Sequence, residues 1–297
     1  MARLGLGCAP LGGLFSEVSE TDAHATVEAA WDAGVRFFDV APQYGLGLAE
    51  RRLGEALRGR NDFVVSTKVG RLVVPRGEGD GQDASQFSGM TEELRFDFTR
   101  DGVLRSMEAS LERLGVDRID VVHVHDPDEH LQAALTQAIP ALLELRSQGV
   151  VGAVGAGMNH AAPLRRIVRE TDVDRILLAG RYTLLDRSGL SLLDLCFERG
   201  VSVIAGGVFN SGVLADPRPG ATFDYAPAST EVIELARSIG HICSEQGVPL
   251  TAAAMQFPAR HPAVETVLVG ARSAREVRAN ADAFEFPVPA QLWDELD

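Results

Sequence analysis

FVVSTKVG (residues 63–70) is a short β-branched run whose polar residues fall at its end and which closes on a glycine. Such a run, too short for a helix and apolar on both alternating faces, reads as a buried strand of a parallel sheet. Moving outward in both directions, similar runs recur at Leu4–Gly7, Arg36–Val40, Ile119–Val124, Val151–Val154, Arg175–Leu178, Val201–Ala205 and Thr266–Val269, with Phe63–Thr67 as the third of the series. Helical patterns lie between them, at Thr21–Ala33 behind a Ser19 cap, Ala49–Leu57, Arg100–Leu114, Leu131–Arg146, Pro163–Arg169, Leu190–Arg199, Thr230–Gln246 and Ala274–Ala283. Eight strands alternating with helices over 297 residues predict a parallel (β/α)₈ barrel, an α/β fold of the TIM type. A doubly wound open sheet is the rival architecture. It would want GxGxxG after the first strand, and Gly5, Gly7, Gly12 and Gly13 have the wrong spacing. No linker or shift of composition divides the chain, so residues 1–297 are expected to form one barrel domain. Residues 75–94 (PRGEGDGQDASQFSGMTEEL) interrupt the rhythm directly after the third strand, on the face where a barrel's substrate loops belong.

The composition narrows the partners. Hydrophobic residues make up 45% and charged residues 24% of the chain, which suits a soluble protein with a sizeable core. A net charge of −14 argues against nucleic acid and anionic membranes as partners. No apolar run is long enough for a membrane span, and the start, MARLGLGCAP, has no secretory h-region. Cys8, Cys196 and Cys243 are few and far apart, as expected of reduced thiols in a cytoplasmic protein. Nothing in the sequence speaks to oligomeric state.

Within the opening run sits Lys68, the one lysine in a chain with 27 arginines. Either it is a remnant of a compositional bias, or it stands where a guanidinium cannot serve. Lysine is a compact point charge, arginine a broad planar fork. Its neighbours favour the second reading. Asp39 ends the second strand in RFFDVAPQYG, Tyr44 follows in the loop, and His125 ends the fourth strand in RIDVVHVHDPD. Polar residues at strand C-termini face the ligand side of a barrel. An ammonium beside a phenol would pull the tyrosine's pKa down from about 10, and a carboxylate would keep that ammonium charged. His125 could then hold the substrate oxygen. Each residue also has a plainer reading: Asp39 as a strand-end cap, Tyr44 as a loop anchor, His125 as a satisfied rim histidine. The pair His123 and His125, with Asp126 after it, could ligate a metal. The later strand ends offer Asn159, Tyr182, Gly206 and Gly270 instead of further ligands, so no metal site is expected.

FFDVAPQYG, GLAERRLGEAL, VVSTKVG and RIDVVHVHDPD together resemble the aldo-keto reductases over nearly the whole chain. The resemblance implies Asp39, Tyr44, Lys68 and His125 as the family's catalytic tetrad, on a barrel that binds a nicotinamide dinucleotide without a Rossmann domain. CAPLGGLF, Asp126-Pro127-Asp128, GAVGAGMNH and AGRYTLLD are similar to the D-threo-aldose 1-dehydrogenase branch, which includes L-fucose and L-galactose dehydrogenases. By the same resemblance Asn159 holds the nicotinamide carboxamide. Ser211, Gly212 and Leu214 in FNSGVL wrap the pyrophosphate, and Gly270, Arg272, Glu276 and Asn280 in GARSAREVRAN meet the adenosine phosphate and adenine. The chain departs from the family at Ala179 or Gly180, where many members carry a glutamine, and at Gly206, where many carry a tyrosine stacked on the nicotinamide. The N-terminal hairpin that closes the barrel's bottom is short or absent. Glu276 would repel a 2′-phosphate and accept from a 2′-hydroxyl, which favours NAD over NADP, although Arg272 and Arg275 stand close by. Asp126 takes the place of the aromatic residue that often lines the pocket, which suits a hydroxylated substrate, unless it only caps the turn at Pro127. The expected reaction is oxidation of an aldose at C1 to a lactone. Reduction of small aldehydes, pyridoxal oxidation, or a nicotinamide-binding regulatory subunit are the alternatives.

Overall fold

The computed structural model describes residues 3–14, 16–79 and 92–297. Eight parallel strands close into a barrel in simple sequential order. They are β1 (Arg3–Gly7), β2 (Phe37–Asp39), β3 (Val64–Val69), β4 (Ile119–His125), β5 (Val151–Met158), β6 (Arg175–Ala179), β7 (Ser202–Gly206) and β8 (Val264–Gly270). The helices α1 (Glu20–Asp32), α2 (Leu48–Leu57), α3 (Arg100–Leu114), α4 (Ile139–Ser147), α5 (Ala161–Glu170), α6 (Leu190–Arg199), α7 (Thr230–Glu245), α8 (Leu250–Gln256), α9 (Ala274–Glu285) and α10 (Ala290–Leu296) surround it. The expected (β/α)₈ architecture is therefore the one observed.

Both faces of the strands are buried, one against the helices and one inside the barrel. Phe38 packs outward into the main core, while Phe37 turns inward with Val121, Leu177, Ile204 and Leu268. Gly5 makes room for the inward ring: a Cβ there would lie 3.0 Å from Phe37 and 3.0 Å from Thr266. Below this layer, Glu265 accepts from Arg3 at 2.7 Å and from Arg175 at 2.7 Å, tying β1, β6 and β8 together at the bottom. The inward apolar layer and this ion triad together fill the lower end of the barrel.

Four local features differ from the expectations. The helix expected over 131–146 is broken by a π turn at Ala134–Ala138 before α4. Pro140 lies near its junction with α4 and has no N–H to give a regular helical ladder. The flanks of the insertion, Arg71–Pro75 and Glu92–Phe96, pair as an antiparallel hairpin. Its tip, 80–91, lies outside the described residues, as does Phe15 of CAPLGGLF. The short helices α8 and α10 had no distinct sequence signal. Finally, β3, β4 and β5 run past their expected last residues, Thr67, Val124 and Val154, to Val69, His125 and Met158, which keeps Lys68 and His125 within their strands.

Candidate active site

The four polar residues expected at the rim converge at the C-terminal mouth of the barrel. Strand register sets three of them: Asp39 pairs with Ser66 across β2–β3, Lys68 with His123 across β3–β4, and His125 with Gly157 across β4–β5. Tyr44 comes from the loop after β2, whose tight course needs left-handed residues at Gly45, Leu46 and Gly47. That loop presses on Gly12, where a Cβ would lie 2.5 Å from the Tyr44 carbonyl carbon. Beneath the loop, the fully buried Glu50 at the start of α2 accepts from Thr67 of β3 at 2.7 Å and pairs with Arg113 of α3 at 2.6 Å. One carboxylate thus clamps α2, β3 and α3 behind Tyr44.

Lys68 Nζ donates to Asp39 Oδ2 at 2.6 Å, to the Val40 carbonyl at 2.9 Å and to the Tyr44 hydroxyl at 3.0 Å. The side chains of Lys68 and Asp39 are 3% and 2% exposed. Burial is the largest influence on Lys68 and pushes its pKa down, but Asp39 and Tyr44 outweigh it and leave the ammonium above its ordinary value. Tyr44 corrects the expectation. Burial pushes the phenol up by more than Lys68 pulls it down, so Tyr44 titrates above an ordinary tyrosine. His125 packs edge-on to the Tyr44 ring, with centroids 6.1 Å apart. Burial, then Arg71 and Lys68, hold it well below the usual histidine range, so it is a neutral imidazole.

Around the mouth lie groups that the sequence did not single out. Arg71, just past β3, binds Asp126 Oδ2 at 2.7 Å and also the Gln43 side-chain oxygen. Asp126 itself adopts a left-handed backbone (φ 39°) and stands 3.6 Å from His125 Nε2. Its carboxylate turns to Arg71 and does not cap the Pro127 turn. Burial holds its pKa above the usual carboxylate value, against the pull of Arg71. The loop after β7 reaches across the mouth: Tyr225 hydrogen-bonds the Asn159 side chain, and Arg181 binds Asp224 at 2.7 Å.

The residues expected to hold the dinucleotide occupy neighbouring stretches. Asn159 follows β5. Ser211 and Gly212 both have positive φ, 63° and 116°, in the turn after β7. Leu214 is fully buried, so its side chain serves the core and only its backbone is placed for a ligand. Gly270 ends β8, and Ser273 caps α9 by accepting from Glu276 N at 3.2 Å. Glu276 is already engaged: its carboxylate accepts from Arg272 N at 2.8 Å and from the Arg272 guanidinium at 3.1 Å. Asn280, two turns into α9, is half-buried. The adjacent ends of β7 and β8 are where barrel enzymes commonly take phosphate. An added Cβ on Gly206 would meet Leu177 and Ala179 at ordinary contact distances of 3.6 Å or more, and the Oδ1 of Asn210, whose backbone N–H donates to the Gly207 carbonyl, is buried without a partner among the described residues. A position without a side chain and an unspent acceptor close by fit an amide-bearing ring. Among the described residues no group of three or more His, Cys, Asp or Glu side chains converges to hold a metal ion, and His123 turns to Ser66 instead.

A closed (β/α)₈ barrel here carries a hydrogen-bonded tyrosine–lysine–aspartate cluster at the C-terminal ends of its strands, the end at which barrel enzymes place their active sites. The profile of the aldo/keto reductase family matches residues 3–297, and the chain belongs to that family. It is an NAD(P)-dependent oxidoreductase. It is 44% identical to a D-threo-aldose 1-dehydrogenase of a Pseudomonas species, over 99% of this chain and 92% of that protein. It is also 44% identical to the pyridoxal 4-dehydrogenase of Microbacterium luteolum, over 100% and 93%. The L-galactose dehydrogenase of Arabidopsis thaliana is 32% identical, over 95% and 84%. An aldo-keto reductase from Bacillus halodurans, solved in its holo form, superposes with a TM-score of 0.75 at 25% identity, over 99% of this chain and 90% of that one. Among the described residues no helix is long and apolar enough to cross a membrane.

Proposed function

We propose that this chain oxidises an aldose at its anomeric carbon to the lactone, with Asp39, Tyr44, Lys68 and His125 as its catalytic tetrad. The observation that carries the proposal is the triple hold on Lys68 Nζ, which leaves one charge fixed 3.0 Å from the Tyr44 hydroxyl. Tyr44 accepts the C1 hydroxyl proton as general base, and the ammonium stabilises the phenolate form that does so. Asp39 keeps Lys68 charged and aimed. His125, neutral, donates one N–H to the substrate oxygen and orients it. Asn159 would hold the nicotinamide amide, Ser211 and Gly212 the pyrophosphate, and the Gly270–Asn280 segment the adenosine end. Bound NAD(P)⁺ supplies the hydride acceptor. In the reverse direction the same phenol is the general acid for carbonyl reduction.

The polar rim supports a sugar. Asp126, Arg71 and Gln43 present an acceptor and donors beside His125, where the carbon next to the reacting one would carry a hydroxyl. The names of the aldose and galactose dehydrogenase relatives agree with this reading. Pyridoxal is the second reading, favoured by the equally similar pyridoxal 4-dehydrogenase and by Arg71, which suits a phenolate oxygen. For the cofactor we propose NAD, because Arg272 is already paired with Glu276 and a 2′-phosphate would have to compete with that carboxylate. Purified protein assayed for NAD⁺ reduction on L-fucose, L-galactose, D-arabinose, L-rhamnose and pyridoxal tests the substrate. Turnover of pyridoxal alone would replace the sugar reading, and an equal kcat/KM with NADP⁺ would end the NAD preference. Tight cofactor binding with no turnover on any substrate would point to the regulatory-subunit alternative.

A further inference from the structure

Under the Lys68–Asp39 pair, the barrel interior holds two polar side chains for which the reaction above has no use. Asp39 spends Oδ2 on Lys68, and its Oδ1 accepts from the Ser66 hydroxyl at 2.8 Å. Ser66 Oγ lies 3.2 Å from His123 Nδ1. Ser66 and His123 are fully buried. A hydroxyl has one proton, and here the carboxylate takes it, so toward His123 the Ser66 oxygen can only accept. That fixes the imidazole proton on Nδ1 and leaves the lone pair on Nε2, which is buried without a partner. Charging the ring is opposed by burial and by Lys68 and Arg175, which hold its pKa at about 3. The fold also makes space for it. A Cβ on Gly155 of β5 would stand 2.3 Å from the Arg175 carbonyl oxygen and 2.7 Å from His123 Cδ2, so the glycine accommodates the next strand and the ring together.

A half-satisfied histidine in a barrel core costs stability that a leucine of similar size would not. Its presence here, linked to Asp39 through the single hydroxyl of Ser66, points to work done on that carboxylate. We propose that Ser66 and His123 are positioning residues that fix the Asp39 carboxylate, and through it Lys68, in the orientation that Tyr44 requires. The proposal rests on the reading of Tyr44 as the proton-transferring group. Without this support Asp39 Oδ1 loses the Ser66 hydroxyl as donor and the carboxylate can rotate about Cβ–Cγ. Lys68 is then held less firmly below Tyr44, the phenolate is less stabilised, and the phenol's pKa rises further. The titratable and charged groups facing this assembly are Cys8, Asp39, Tyr44, Lys68, His125 and Arg175, with Tyr225 beyond Tyr44.

The test compares full-length Ser66→Ala, His123→Leu and His123→Asn with Tyr44→Phe as control, on the sugar that the panel identifies. Thermal unfolding, NAD⁺ binding by fluorescence, and kcat and KM across the pH range are measured for each. Ser66→Ala and His123→Leu are expected to bind NAD⁺ normally and to keep KM. Their kcat should fall about tenfold at neutral pH, with the alkaline limb of the oxidation profile displaced upward by about one unit, the two being the same effect. His123→Leu should unfold no lower than the parent, and His123→Asn, whose amide can still donate to Ser66, should recover most of the rate. A merely structural role would instead lower the unfolding temperature and leave the pH profile in place. Wild-type kcat and pH limb in folded Ser66→Ala, which removes a single oxygen, overturns the proposal even if His123→Leu does not fold. Full turnover by Tyr44→Phe overturns both this proposal and the reading beneath it. Loss in Tyr44→Phe with no change in the positioning variants overturns this proposal alone.

Discussion

Lys68 Nζ stands 3.0 Å from the Tyr44 hydroxyl and 4.7 Å from the centre of the same ring, so one ammonium addresses both the oxygen and the π face of the phenol. A guanidinium could not meet Asp39, Val40 and Tyr44 from that 3%-exposed pocket in the same orientation. Under the proposed mechanism, Lys68→Arg and Lys68→Met should each lower kcat by at least about 10²-fold while NAD⁺ binding persists. The pH dependence follows from the same pair. Oxidation needs the phenolate and reduction needs the phenol, and burial holds the Tyr44 pKa above the ordinary value. Oxidation kcat/KM should therefore climb into the alkaline range while reduction falls across it, and Lys68, itself shifted upward, stays charged throughout. Rate profiles in both directions check the crossing.

Arg71 and Asp126 form the second relationship at the mouth. Both groups already have a partner, so a ligand lacking hydroxyls would gain little by entering between them. Asp126→Leu should lower kcat/KM for aldoses about 10- to 10²-fold and change that for a small unsubstituted aldehyde by much less. Burial raises the Asp126 pKa, so the carboxylate is lost earlier than usual as pH falls, and KM for the sugar should rise on the acid side. Equal losses on both substrates would refute a role in sugar recognition.

Acid stability is set in part by two neutral histidines in the barrel. The unfolded chain binds a proton on His123 near pH 6.5, whereas the folded chain does so only near about 3. Between those values the unfolded state holds more protons, so stability rises with pH and is lost as pH falls through that window. The slope from one such histidine is about 1.4 kcal/mol per pH unit. His125 acts in the same direction. Urea unfolding of the parent should steepen below about pH 6, and His123→Leu should lose one histidine's share of that slope. An unchanged slope in the variant would contradict the burial of a neutral ring at this position.

The alternation of short β-branched runs with amphipathic stretches made the barrel readable, because each barrel strand must be apolar on both faces. That same double burial hid the inner network. Ser66 and His123 sit in runs with no alternation, so nothing in the pattern says which residues face the lumen and which face the helices. Asp39, Lys68 and His125, to which the catalytic role is proposed, were legible as candidates because polar side chains at strand ends are unusual. Arg71 and Tyr225 were not, since Arg71 starts a hairpin strand and Tyr225 lies in a turn, and both reach the mouth by courses that depend on tertiary contacts. The direction of the Tyr44 shift could not be read from residue types either. It depends on how deeply the phenol is buried, and the sequence identifies only the neighbour that opposes that effect. Glu50, inside the charge-rich stretch AERRLGEA, resembles a solvated helix residue and is fully buried.

Glu50 and Arg113 provide the clearest stability test. The carboxylate is fully buried, 2.6 Å from Arg113 Nε and 2.7 Å from Thr67 Oγ1, and the Arg113 stem lies against Gly47 at the end of the Tyr44 loop. Removing one partner of a buried pair strands the other charge, at a cost of about 3–5 kcal/mol. Glu50→Leu alone should therefore destabilise strongly. Replacing both partners removes the stranded charge, so Glu50→Leu with Arg113→Leu should recover most of that loss. Because the pair lies behind the loop and not in the mouth, the double variant should retain KM, with any fall in kcat reporting how far the Tyr44 loop depends on the clamp. Denaturant unfolding of the singles and the double decides it: additive losses, with no recovery in the double variant, would mean that the two side chains stabilise the fold independently and that the clamp is not a coupled unit.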